Sequence, residues 1–307
     1  MIDTYATYVT DGGILQLRRG TPGADLSTFS TVAQLTTSGL RYGHDVKEFV
    51  LRDLGRILEA SLLHENRYTG AGGSAGDANL TGQIKPYAIG QVFNVPAKLI
   101  NASTLIYQLS DSALYTVADV REGGNSLSFG TNRANYAALA GSAPAPGAYD
   151  VCFSEGFMRL GSSPTLPITA DYTGDTNGGT PYLKRGDIAK RIVTRAGTGV
   201  LSTSQVDGTA LTALNTAQTA TCGFYWDKEI SKADALNEVM AGCLGYWFVD
   251  LTGALILGYL TTVGSSPVKT YTFGDQTGNP TMTESVRPPR WKTSLSYQRN
   301  YSIMDRS

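Results

Sequence analysis

Three acidic residues are the most plausible chemical groups in this 307-residue sequence. Glu155, Asp171 and Asp175 lie close together along the chain, and glycoside hydrolysis uses two carboxyl groups roughly 5–10 Å apart across a cleft. The two aspartates bracket Gly174, however, and aspartates beside glycine are typical of turns, where the carboxylate accepts backbone hydrogen bonds. We therefore expect these acids to be turn residues rather than a catalytic pair.

Metal ligands are few and scattered. Asp171, Asp175 and Asn177 carry oxygen atoms of the kind that Ca²⁺ binds, but the closing glutamate of an EF-hand loop is missing. The chain has two histidines, His44 and His64, and three cysteines, Cys152, Cys222 and Cys243. The histidines form no HxxxH motif and the cysteines form no CxxC motif. A zinc site needs such closely spaced ligands, so we predict no metal and no cofactor, and reduced cysteines.

Nucleophilic and nucleotide-binding motifs are equally incomplete. The sequence contains no G-x-S-x-G nucleophile elbow. Gly70 to Ala75 fits a relaxed G-x-G-x-x-A pattern, but a dinucleotide site requires a strand before the glycines and a helix after them, and neither flank fits. The residues therefore predict a protein that is not an enzyme.

Composition excludes two further classes of function. The chain carries 25 basic and 26 acidic residues, for a net charge of −1, whereas generic nucleic-acid binding calls for a basic face. The most apolar stretch, Tyr246 to Leu260, is too short and too interrupted to span a bilayer as a helix. Charged residues make up only 17% of the chain against about 25% usually, which indicates surfaces that neighbours partly cover.

The pattern of apolar residues predicts an α+β, mainly β protein with two domains. Residues 1–172 form a mainly-β domain with many short antiparallel strands and a Gly-rich loop at 68–82, which we expect to be an extended surface loop. Residues 173–307 form an α+β domain of helix and β-hairpin units with a C-terminal extended strand. A helix followed by a hairpin is a compact unit of this kind.

Several elements carry recognisable end signals. Asp187 is expected to cap a helix that ends near Gly197, because its side chain accepts from free N–H groups. Ser231 and Asp234 resemble a capping box. Residues 246–250 and 254–260 predict a hairpin around the turn 251–253, and apolar spacing from Leu54 to Leu62 predicts a short helix.

One segment resembles a known family. Leu80 to Val95 is similar to the L-x-G-x-x-K-P-x-x-x-G-x-x-x-N-V segment of tail-tip and upper baseplate (hub-like) proteins of long-tailed siphophages of the transposable-phage type. Further short motifs follow in the same order over most of the chain: Leu105 to Gln108, Phe157 to Asp171, Gly245 to Gly253, and the P-x-x-W…Y-x-x-N pattern from Pro288 to Asn300. The glycine that the family has before Ile168 is Pro167 here.

The resemblance implies a structural virion protein in the phage tail, made and assembled in the host bacterial cytoplasm. Such a protein has β-barrel-like regions in its first half and forms a homo-oligomeric ring, a trimer rather than a hexamer, that joins the tail tube or distal tail proteins to tip and fibre proteins. Long loops are usually functional or disordered, so we predict contacts in the loop and the tail, by Tyr68, Gly72, Asn79, Arg287, Trp291 and Tyr297.

Two alternatives belong to other classes. A tail-associated enzyme that degrades peptidoglycan would need two acids whose pKa values differ, and Glu155 and Asp171 are the residues to test. A receptor- or glycan-binding tip module would need an exposed cluster of aromatic side chains, and 17 tyrosines keep it under consideration, although tyrosines in strands more often lie in cores or interfaces.

Overall fold

The computed structural model describes residues 13–42, 47–261 and 301. The strands in these residues are β1 (Ile14–Arg19), β2 (Ser30–Tyr42), β3 (Lys47–Arg52), β4 (Tyr87–Pro96), β5 (Lys98–Asn101), β6 (Ile106–Gln108), β7 (Leu114–Glu122), β8 (Asn125–Ser126), β9 (Ser128–Asn132), β10 (Ala148–Cys152), β11 (Phe157–Leu160), β12 (Ile168–Gly174), β13 (Thr176–Asn177), β14 (Thr180–Pro181), β15 (Gly223–Trp226), β16 (Gly245–Val249) and β17 (Leu255–Tyr259). The α-helices are α1 (Gly55–Ala60), α2 (Tyr136–Ala140), α3 (Arg185–Thr194), α4 (Gly208–Ala217) and α5 (Lys232–Ala241). The predicted α+β, mainly β class is confirmed.

The strands form open sheets. One five-stranded sheet has the order β15-β4-β12-β7-β8, a second has the order β5-β6-β11-β10-β9, and β1, β2 and β3 form a separate N-terminal sheet. Among the strands of the described residues, neighbours pair antiparallel except β9 with β10. Among the described strands the edge strands of each sheet do not pair with each other, so the barrel-like regions expected in the first half are open sheets instead.

The β15-β4-β12-β7-β8 sheet joins the two halves of the sequence. β12 crosses the predicted boundary at residue 172, and β15 pairs with β4 along its whole length. Gly223, Gly90 and Gly174 lie side by side across β15, β4 and β12. A Cβ atom on Gly90 would lie 2.2 Å from the Cys222 carbonyl oxygen, so these strands approach closely only because the side chains are absent. The division into two domains stays a prediction.

Three clusters of apolar side chains form the core. The largest combines the short helix α1 and strand β4 with α3, α4, α5, β15 and the β16–β17 hairpin. The second lies between the two five-stranded sheets, and the third holds the Gly-rich loop against β6, β11 and α2. No described residue of β1, β2 or β3 belongs to any of these clusters, so the N-terminal sheet stands outside the core.

The capping residues predicted from the sequence are correct for one helix and wrong for another. The Ser231 hydroxyl accepts from the Asp234 N–H at 3.0 Å, which confirms Ser231 as the cap of α5. Helix α3 instead begins at Arg185, and the predicted cap Asp187 lies within its first turn. The Asp187 carboxylate accepts from the Asn215 side chain at 2.9 Å, and an acid in the first turn is favourable beside the helix dipole. The predicted hairpin is confirmed as β16–β17.

Long apolar helices are absent from the part of the chain that is described. None of its helices reaches the length and hydrophobicity that crossing a membrane requires.

Candidate functional site

The Gly-rich loop at 68–82 is a compact, ordered turn rather than the extended surface loop that we predicted. Two short 3-10 turns interrupt it, and five of its glycines have positive φ, namely Gly70, Gly72, Gly73, Gly76 and Gly82. Only glycine adopts such angles at little steric cost. The loop therefore folds back on itself through its backbone conformation, with Tyr68 and Leu80 packed into the third core cluster.

The predicted contact residues differ in how exposed they are. Tyr68 is only 1% exposed, so its side chain anchors the loop and does not face a neighbour, which corrects that prediction. The reason is a polar partner inside the core, because the Tyr68 hydroxyl donates to Gln108 Oε1 at 2.6 Å. Gly72 is half-buried and Asn79 is exposed, and both stay predictions. The predicted C-terminal strand and its contact residues Arg287, Trp291 and Tyr297 lie outside the described residues.

Removing this anchor should destabilise the chain measurably. We expect Tyr68→Phe to lower the free energy of unfolding by about 1–3 kcal/mol, because it leaves the buried Gln108 Oε1 without its donor. Asn79→Ala, on the exposed side of the same loop, should change it by less than about 0.5 kcal/mol. Urea unfolding followed by circular dichroism measures both. Equal effects at the two positions would contradict the anchoring role.

Asp171 is held by arginine. Its two carboxylate oxygens accept from Arg121 at 2.9 and 2.6 Å, and the Asn94 N–H donates to it at 2.6 Å. Burial acts to raise the pKa of Asp171, but these hydrogen bonds outweigh burial and hold the pKa below its usual value. Arg121 also pairs with Asp119 at 2.8 Å. A general acid needs a raised pKa, so Asp171 is suited to holding strands together and not to donating a proton.

Asp175 lies at the centre of a second, more buried cluster. It is 2% exposed and accepts from Arg191 Nε at 2.8 Å and from the Tyr87 hydroxyl at 2.6 Å, while Arg195 lies 3.6 Å away. The Arg195 guanidinium also stacks over the Tyr87 ring, 4.0 Å from its centre. Because Asp175 has a φ of +43°, the backbone is locally strained to bring the carboxylate to this position.

The third acid has a structural partner as well. Glu155 Oε2 accepts from the Tyr136 N–H at 2.7 Å, at the start of α2. Glu155, Asp171 and Asp175 thus each have their own partner, on α2, β7 and α3 respectively, which agrees with structural roles and does not favour the peptidoglycan-degrading alternative. The arginines also occupy the oxygen atoms that a Ca²⁺ ion would need. Within the described residues, no three His, Cys, Asp or Glu side chains gather as metal ligands.

His64 is a buried histidine with one hydrogen-bond partner. Its Nε2 lies 2.6 Å from the Lys85 carbonyl oxygen, and its Nδ1 is buried without a hydrogen-bond partner. Because a carbonyl only accepts, Nε2 donates this hydrogen bond. Burial lowers the pKa of His64, and nearby Arg195 lowers it further, although the Lys85 carbonyl acts in the opposite direction.

This lowered pKa predicts acid sensitivity. Since the folded chain binds a proton on His64 less readily than the unfolded chain does, the stabilisation is complete above the unfolded pKa of about 6.5 and is lost as pH falls below it. We expect the free energy of unfolding to fall by up to about 1.4 kcal/mol per pH unit from this residue. Urea unfolding of wild type and His64→Gln between pH 7.5 and 5 measures it. An unchanged slope in His64→Gln would contradict the assignment, and His44→Gln is the control.

The outer face of the β16–β17 hairpin is apolar and exposed. The pairs Leu244 with Leu260, Tyr246 with Gly258, and Phe248 with Ile256 lie on this face, and the opposite face packs into the core. Leu244 and Leu260 are each 67% exposed, and Tyr246 and Phe248 are each 47% exposed and stacked. We call these six residues the hairpin face. Sequence reasoning missed it, although apolar residues at consecutive positions of a two-stranded hairpin indicate that both faces need partners.

The N-terminal sheet has a second exposed apolar surface. The pairing of Leu15 with Leu35, Leu17 with Ala33 and Leu51 with Thr37 places these residues on one side, and Phe49 follows on the same side. Leu17, Phe49 and Leu51 are 57%, 46% and 38% exposed, whereas Ala33 and Thr37 on the central strand β2 are buried. We call Leu15, Leu17, Leu35, Phe49 and Leu51 the sheet face. The alternation in β1 predicts a strand with one apolar side. Only the structure reveals that the core does not cover this side.

Comparison with known proteins adds no relative. No protein-family model, no curated protein and no solved structure matches the chain.

Proposed function

We propose that this protein is a structural subunit of a bacteriophage tail tip or baseplate. It assembles into a homo-oligomeric ring that joins the tail tube or distal tail proteins to the tip and fibre proteins. The proposal rests on the short motifs from Leu80 to Asn300, which resemble those of the tail-tip family and occur in the same order. Its place of action is the virion.

One observation of the structure carries the argument for assembly. Two apolar strand surfaces, the hairpin face and the sheet face, are exposed on the same chain. Soluble monomers rarely expose large contiguous apolar patches, and such patches mark contact sites. A net charge of −1 on 307 residues adds little repulsion between copies. The ion-paired acids fit the same reading, because they hold strands and helices in place.

Light scattering on the purified full chain tests the proposal. We expect the average mass to rise with concentration from the monomer mass to a plateau. The plateau should be a whole multiple of 32.7 kDa, with three copies favoured over six. A closed assembly reaches a plateau, whereas open aggregation does not. Unlimited growth in mass would contradict a ring.

A binding module is the second candidate, and one observation favours it. Tyr246 and Phe248 present two stacked rings to solvent, 6.3 Å apart, and aromatic rings are common in binding surfaces. This candidate predicts that cell-wall glycans quench the intrinsic fluorescence of the chain in a saturable way and that Tyr246→Ser removes the effect. Absence of saturable quenching leaves the ring subunit as the function.

A further inference from the structure

The hairpin face lacks charge as well as cover. Its six residues carry no polar side-chain group apart from the Tyr246 hydroxyl. Asp250, the one charged residue of the hairpin, turns its carboxylate toward Thr252 and the Ala254 N–H. The Tyr246 ring lies across Gly258, where a Cβ atom would meet its Cζ at 2.3 Å. This glycine lets the aromatic ring lie flat, so the face is a smooth apolar surface. A partner for it must itself be apolar.

The sheet face also lacks a covering layer. A three-stranded sheet with an apolar face needs a layer to pack against, yet no described residue of β1–β3 enters a core cluster. Arg18, Arg19 and Arg52 are exposed charged residues on the same strands. The described chain thus presents two apolar strand surfaces without a covering layer.

The two surfaces do not cover each other within one chain. The hairpin turn contacts β2, where the Gln34 N–H donates to the Leu251 carbonyl at 2.6 Å. A Cβ atom on Gly253 would lie 3.5 Å from the Gln34 side chain, and Gln34 points to the side of the sheet opposite Leu35. The hydrogen bond places the turn at the edge of β2, and the Gly253 contact lies on the side of the sheet that Gln34 faces, opposite the sheet face.

We propose that the hairpin face of one copy packs against the sheet face of the next copy. This inference rests on the proposed function and assigns the contact that forms the ring. Two different surfaces that fit each other make a head-to-tail contact, which generates a ring when the rotation closes. A two-fold contact of one surface with itself would leave the other surface uncovered.

The exposed area is sufficient for such a contact. At about 200 Å² for each fully exposed side chain of this size, the four most exposed residues of the hairpin face offer roughly 450 Å². Leu17, Phe49 and Leu51 offer roughly 300 Å², before the half-buried Leu15 and Leu35 are included. Apolar atoms contribute about 60% of an interface, so these areas correspond to a contact of roughly 1,300 Å², within the range of stable interfaces.

Paired variants test the proposal by sedimentation velocity. The hairpin variant is Tyr246→Ser with Phe248→Ser, and the sheet variant is Leu17→Ser with Phe49→Ser. Each variant alone should be monomeric, with its association weakened at least 100-fold relative to wild type. Leu166→Ser replaces an equally exposed leucine, 49% exposed, outside both surfaces and should assemble like wild type. Unchanged far-UV circular dichroism and urea midpoints establish that the variants fold.

Mixing the two variants gives the decisive result. The hairpin variant keeps a sheet face and the sheet variant keeps a hairpin face, so a 1:1 mixture should form a dimer of twice 32.7 kDa and nothing larger. A mixture that stays monomeric overturns the head-to-tail contact, because it indicates a two-fold contact or cover by the same chain. Variants that assemble like wild type overturn the inference and leave the proposed ring intact. A wild-type chain that stays monomeric overturns the inference as well.

Discussion

Asp175→Asn lowers the free energy of unfolding by about 3–5 kcal/mol, the usual effect of removing one partner from a buried ion pair. The substitution keeps the size of the side chain, and asparagine tolerates the positive φ at this position, so the backbone conformation persists. The carboxylate charge is lost, however. Arg191 and Arg195 then lie beside an amide, with side chains only 28% and 11% exposed.

Urea unfolding at pH 7 measures this effect. Asp227→Asn, which removes an exposed carboxylate, is the matched control and should change the free energy of unfolding by less than about 0.5 kcal/mol. A change below about 1 kcal/mol for Asp175→Asn, typical of a surface ion pair, would contradict the buried cluster. In that case the two arginines would be solvated in the folded protein.

Gly90→Ala has the second large effect, because it adds a side chain where two strands meet. Gly90 has a φ of +74°, and its Cβ would lie 2.2 Å from the Cys222 carbonyl oxygen and 2.9 Å from the Gly223 Cα. Positive φ alone costs a residue with a side chain roughly 1–2 kcal/mol. Separating β15 from β4 adds the lost ladder, so we expect a total of about 3 kcal/mol or more, the size that overpacking and strain reach together.

Gly82→Ala separates the two causes. Gly82 has a φ of +79°, nearly that of Gly90, but no atom lies within 4 Å of its Cβ position. It should therefore show the conformational cost alone, about 1–2 kcal/mol. Urea unfolding compares the two variants. The near-UV circular dichroism of the chain, to which Trp226 on β15 contributes, reports whether the strand has moved. Equal costs would indicate that β15 is held loosely and that the two halves of the sequence are not joined there.

Local sequence signals predicted the second half of the fold well. The capping serine Ser231 and the turn at 251–253 act over a few residues, and both appear where they were expected. Asp187 shows the limit of such signals. It carries the right side chain for a cap, but Asn215, 28 positions further along the chain, binds it inside the first turn of α3. Only the tertiary structure determines which partner a polar side chain takes.

The candidate site depended more on tertiary structure. The Gly-rich segment around Tyr68 predicts an exposed side chain. In the structure the Tyr68 hydroxyl is instead buried and donates to Gln108, 40 positions away. The sequence predicts that Asp175 is a turn aspartate. In the structure its carboxylate binds an arginine of α3 and a tyrosine of β4. The hairpin face could have been predicted from the sequence, because the apolar residues of the hairpin are consecutive. The sheet face was not, since alternation in β1 and β3 indicates a buried side without indicating what buries it.

The most direct test of the ring is electron microscopy of the purified full chain. Class averages of the assembled fraction should show a closed particle with a cyclic symmetry axis and a central opening, with the same number of copies that light scattering gives. Three copies are expected. Particles without rotational symmetry, or filaments that grow without closing, would contradict the account that this chain is a ring-forming tail subunit.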